Sequence, residues 1–62
     1  MCLSTVYTNT KEEANVVMRN VMSLECKDGC VILTDLMDRQ VSIEGTLSQA
    51  NLVDGFVIVK TN

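Results

Sequence analysis

The sequence predicts a small all-β domain, an antiparallel barrel or sandwich of about six or seven short strands. Three observations predict it. Turn-forming residues recur about every 8–12 positions, as they do between short strands. The segments between them are rich in Val, Ile and Thr, or alternate apolar with polar. No helical spacing of apolar residues is sustained; residues 12–25 come nearest, and their valines weaken that reading.

The elements follow in order. Residues 2–7, CLSTVY, are β-rich, and residues 8–14, TNTKEEA, are polar and turn-like. Residues 15–26 alternate imperfectly, with Arg19-Asn20 as a break between two strands. Lys27-Asp28-Gly29 reads as a hairpin turn, because glycine tolerates the positive φ that tight hairpins require. Residues 30–36 form an apolar strand, and Met37-Asp38-Arg39 turns the chain again. Residues 40–45 alternate cleanly, placing Val41 and Ile43 inward and Gln40, Ser42 and Glu44 outward. Residues 46–53 have room for one helical turn and lead into a turn at Asp54-Gly55. Residues 56–60, FVIVK, close the domain.

The 62 residues are read as one domain, 1–62. A domain of this size buries only about 60% of the surface its unfolded chain exposes. With 47% hydrophobic residues, it has apolar surface to spare, which favours an oligomer. Net charge is −3, and the five basic residues Lys11, Arg19, Lys27, Arg39 and Lys60 are dispersed. That disfavours a nucleic-acid partner, which needs a cationic patch, and only Tyr7 and Phe56 are available to stack on bases. There is no apolar stretch long enough for a membrane helix and no signal-peptide pattern, so a cytoplasmic protein without a membrane partner is expected. Three cysteines, an odd number, do not make a disulfide framework.

The catalytic inventory argues against an enzyme. Histidine is absent, so no Ser-His or Cys-His pair exists. The three glycines stand singly at turns and make no phosphate-cradling loop. Glu12, Glu13, Asp35 and Asp38 read as loop charges, with Asp35 suited to capping a turn through its side chain. Cys26 and Cys30 bracket the turn CKDGC. They resemble half of a zinc site, but also suit small strand residues, or a disulfide if their Cβ atoms approach. Met18 and Met22 read as core filling.

Cys2 is different. When Met1 is removed, the Cys2 amine and thiolate close a five-membered chelate ring around a metal. Both donors ordinarily titrate within about two units of neutrality, so a metal can displace their protons. If Met1 is kept, it contributes its own amine, and Cys2 its amide. A deprotonated Leu3 amide is a further nitrogen donor. A two-fold dimer joined through the N-terminal strand would supply two thiolates and two nitrogens, a set suited to Ni(II) or Cu(II).

The segments MCLSTVY, VILTDL, VSIEG and ANLVDGFVIVK, in that order, resemble the CooT-type nickel-binding protein family. The likeness runs through Thr34-Asp35-Leu36, Glu44-Gly45 and the stretch from Asn51 to Ile58, and so covers essentially the whole chain. The resemblance implies a small all-β homodimer that holds Ni(II) at the N-terminal cysteine, here Cys2. It also implies, for some members, a nickel-receiving enzyme, carbon monoxide dehydrogenase. The same family has carried an RNA-binding label, which is the alternative function. Cys26 and Cys30 fall outside the family pattern and remain unexplained thiols.

Overall fold

A computed structural model describes residues 3–62. The chain folds into five strands: β1 (Ser4–Thr8), β2 (Val16–Lys27), β3 (Cys30–Asp35), β4 (Gln40–Asn51) and β5 (Phe56–Thr61). Consecutive strands pair antiparallel, and parallel pairing of β1 with β5 closes the sheet into a barrel. The all-β expectation holds, with a barrel rather than a sandwich.

Five strands replace the expected six or seven because two long strands bend instead of breaking. β2 pairs with β1 through Val16, Met18 and Val21, then with β3 from Val21 to Lys27. Asn20, at φ 56°, and a register shift between Val21 and Ser23 make the bend. A bulge of this kind raises local twist and redirects a strand. β4 pairs with β3 from Gln40 to Glu44 and with β5 from Gly45 to Asn51. Gly45 sits at that changeover. A Cβ there would overlap the Lys60 carbonyl oxygen and lie 3.1 Å from Thr61 Cα. Only glycine lets β5 approach this closely. The helical turn expected within residues 46–53 is absent; β4 runs on to Asn51. Residues 46–50 are all exposed, so no apolar alternation marks them as strand.

The turns fall where expected. Asp28 (φ 53°) and Gly29 (φ 76°) form a two-residue hairpin with both central φ values positive, the type that matches strand twist. Asp38 (φ 64°) and Gly55 (φ 77°) occupy the next two turns. Between β1 and β2 the polar segment holds one short 3-10 turn, Glu13–Asn15. Asn9 ties the far end of the barrel: its N–H donates to the Val59 carbonyl (2.8 Å), and its Oδ1 accepts from the Thr61 N–H (3.1 Å).

Val6, Val21, Val31, Leu33, Val57 and Val59 form the buried core, with Val17, Met18, Leu24 and Ile43 packed against it. Val41 and Ile43 lie opposite Leu33 and Val31 and are half-buried, whereas Gln40, Ser42 and Glu44 are exposed, as the alternation predicts. Met18 joins the core. Met22 does not: the bulge turns Val21 inward and leaves Met22 49% exposed.

A domain of this size has little reserve; at about 0.05–0.15 kcal/mol per residue, total stability is roughly 3–9 kcal/mol. Leu33 is fully buried and is the largest core aliphatic of that class. Leu33→Ala should cost about 2–5 kcal/mol and leave a substantial unfolded fraction in buffer, read by urea denaturation. Gly45→Ala should also be strongly destabilising, since Lys60 backbone must move to admit the methyl group.

Candidate functional site

Met1 and Cys2, the predicted metal donors, lie outside the described residues. Leu3 is half-buried, and the structure shows what it rests on. The Leu3 carbonyl oxygen would stand 3.4 Å from a Cβ on Gly55, so Leu3 runs directly against the β4–β5 turn. Thr5 N–H donates to the Gly55 carbonyl (3.0 Å), and Gly55 N–H donates to the Asn51 carbonyl (2.9 Å). Asn51 fixes the turn from within: its Oδ1 accepts from the Val53 and Asp54 N–H groups, and its Nδ2 donates to Asp54 Oδ2.

Apolar surface surrounds this end. Ser4, Val21, Met22, Leu24, Leu52 and Val57 line a groove beside the first residues of β1. Leu52 is 72% exposed and Val53, next in the turn, 95%. Clustered exposed aliphatics are a feature of contact surfaces. β1 itself has partners on both sides, β2 and β5. Any second chain at this end must therefore meet the apolar surface and not add to the edge of β1.

Cys26 and Cys30 are not brought to this end. Both are free thiols at the tip of the β2–β3 hairpin. Ser4 pairs with Val21, and Cys26 lies five residues further along β2, or about 16 Å at strand rise. Cys26 stands opposite Val31 and Cys30 opposite Lys27, so their side chains leave the hairpin on opposite faces. That geometry excludes the cross-turn disulfide, which needs Cβ atoms about 3.5–4.5 Å apart. Among the described residues no group of three or more His, Cys, Asp or Glu is placed to hold a metal ion, so the half zinc site is not completed there.

Asp35 is buried at the end of β3, and its hydrogen bonds are those of a turn cap. Oδ1 accepts from the N–H groups of Met37 and Arg39 (both 2.9 Å), and Oδ2 accepts from Arg39 Nε (2.9 Å). The Arg39 N–H lowers the carboxyl pKa most; burial opposes it, and the Met37 N–H and the Arg39 guanidinium assist. Every Asp35 oxygen is committed to the turn, so the carboxylate has a structural task and not an acid-base one.

The family model of the CO dehydrogenase accessory protein CooT matches residues 1–60. The chain belongs to the CooT family. The family is one of accessory proteins, not of catalysts. A solved structure of a protein assigned as a CooT, from Carboxydothermus hydrogenoformans, superposes with a TM-score of 0.85 at 13% identity, covering 98% of each chain. That likeness shows the CooT fold. A comparison with curated proteins finds no match.

In this CooT chain, the residues that carried the resemblance are largely those that shape the barrel. Asp35 caps the β3–β4 turn, Gly45 allows the bend in β4, and Asn51 to Gly55 form the turn against Leu3. No helix is long and apolar enough to cross a membrane among the described residues.

Two outcomes follow from this geometry. Because the folded Asp35 pKa lies below its unfolded value, its contribution is present above about pH 4, the ordinary carboxyl value, and is lost as pH falls through the lower folded value. Thermal melts should show the wild type losing Tm below about pH 4, with Asp35→Asn less stable at pH 7 and less sensitive to that acid step. Mild oxidation of dilute protein should leave Cys26 and Cys30 without an intrachain bond, checked by peptide mapping under non-reducing conditions.

Proposed function

We propose that this chain is a nickel(II)-binding accessory protein that works as a homodimer and carries its cargo at Cys2. Family membership over residues 1–60, a span that includes Cys2, is the observation that carries the reading. Nickel is the substrate here. Cys2 supplies a thiolate, and nitrogen comes from its own amine, or from Met1 and backbone amides including that of Leu3. The amine and thiolate of Cys2 alone fill two positions of a four-coordinate ion, and the sequence has no histidine to add. Two copies related by a two-fold axis double the set.

The apolar end of the barrel supports the pairing. Leu52 and Met22 are exposed in the groove that Ser4 lines, and Val53, next to Leu52 in the turn, is exposed as well. Burial of that surface between two copies would bring the two chain starts together. A site built from terminal residues at a dimer contact can also give up its metal, which suits delivery to a nickel-receiving enzyme such as CO dehydrogenase. A cytoplasmic setting follows from that role.

The RNA-binding alternative has less support. Phe56 is buried, with Tyr7 edge-on at 6.4 Å and Lys11 Nζ 4.3 Å above its ring. A ring so covered is not available as a stacking platform.

Native mass spectrometry with Ni(II) should give one metal per two chains. The metal should be lost in Cys2→Ser and kept in the Cys26→Ser/Cys30→Ser double variant. Preparations with and without Met1 should both be measured, since the nitrogen donors differ. A monomeric, metal-free spectrum at micromolar nickel would overturn the proposal.

A further inference from the structure

The chain carries two Asp-Gly pairs, Asp28-Gly29 and Asp54-Gly55, each at a turn between antiparallel strands. In such a pair the glycine amide nitrogen can attack the aspartate side-chain carboxyl, since glycine has no Cβ to hinder the approach. The two turns hold these groups very differently. At the second pair they are engaged. Gly55 N–H donates to the Asn51 carbonyl (2.9 Å), and Asp54 Oδ2 accepts from Asn51 Nδ2 (3.1 Å). Asp54 N–H donates to Asn51 Oδ1 (2.9 Å). Space is short as well, since a Cβ on Gly55 would lie 3.4 Å from the Leu3 carbonyl oxygen.

At the first pair nothing restrains them. Among the described residues neither the Gly29 N–H nor the Asp28 carboxylate makes a hydrogen bond. Both residues are exposed, and a Cβ on Gly29 would meet no atom within 4 Å. Asp28 sits in the left-handed region at φ 53°, a conformation that costs a residue with a Cβ some energy. Rotation of Asp28 out of the native turn and toward its neighbour's nitrogen therefore gives up little.

The geometry points to Asp28-Gly29, and not Asp54-Gly55, as the site where the folded chain forms isoaspartate. The Gly29 nitrogen bonds to Cγ of the protonated Asp28 carboxyl. The carboxyl hydroxyl and the amide proton leave as water, and a five-membered succinimide remains. Water then opens the ring at one of its two carbonyls. Opening at Cγ restores Asp28. Opening at the main-chain carbonyl routes the chain through the Asp28 side chain, with no atom gained or lost overall. The product lengthens the two-residue hairpin by one backbone carbon. It thereby displaces the Gly29 carbonyl, which accepts from Gly45 N–H (3.0 Å) where β4 changes partner.

The test holds the full chain in warm neutral buffer for several weeks, once folded and once in urea. Isoaspartate is counted by methyl transfer from S-adenosylmethionine with a purified isoaspartyl methyltransferase, and placed by peptide mapping. Folded protein should accumulate at least about tenfold more at position 28 than at 54, because the second pair must first give up its hydrogen bonds. In urea the two positions should react at comparable rates, since both are then free Asp-Gly pairs. Asp28→Glu should remove the signal at 28. Asn51→Ala, which strips the side-chain bonds from the second turn, should raise the signal at 54 severalfold and leave 28 unchanged. Three results would each overturn the inference. They are no isoaspartate at 28, equal amounts at both positions in folded protein, or the same preference for 28 in urea.

Discussion

Closure of the barrel by β1 against β5 is the contact on which the rest of the structure depends. Thr5 to Thr8 pair in parallel with Phe56 to Val59, joining the two ends of the described chain. This is the contact with the longest sequence separation, and so the one that costs most loop entropy. It also encloses Val6, Val57 and Val59 in the core. Without it the remaining antiparallel strands would be an open meander with one apolar face in water.

Closure also sets what the surface can do. It uses both edges of β1, so Ser4–Thr8 leave no free strand edge for another chain. It holds Leu3 against the Asn51–Gly55 turn, whose internal hydrogen bonds fix Leu52 and Val53 in the exposed position. Stability and proposed metal delivery thus share one region. Among the described residues an unpaired edge is left at Val16–Arg19 of β2, because β3 ends at Asp35 and the turn it caps carries the chain away.

Much of the fold was legible because short-range chemistry dictates it. Asp28-Gly29 and Asp54-Gly55 announced tight turns, and both have the positive φ at glycine that makes them so. The alternation of residues 40–44 placed Val41 and Ile43 inward correctly. The reading failed where an element lacks a buried face. Residues 46–50 are strand only because β5 lies beside them, and nothing in their own pattern demands it. Asn20 was legible as an interruption, but a bulge and a break look alike in sequence; the partner strands on each side decide which occurs. Of the candidate site, the donor types were legible and their surroundings were not. That Cys26 and Cys30 point to opposite faces is a matter of register, which a spacing of four does not disclose.

By itself the sequence determined the strand-rich class, the places of the turns, the absence of histidine chemistry and the family. These rest on local conformational preference and on residue type, which need no partner. Tertiary structure alone decided that β2 and β4 bend, that β1 closes on β5, and that the turn at Gly55 meets Leu3 while the two hairpin thiols stand apart. Each of those is a contact between residues distant in the chain. Its energy comes from surfaces that meet only after the barrel has closed.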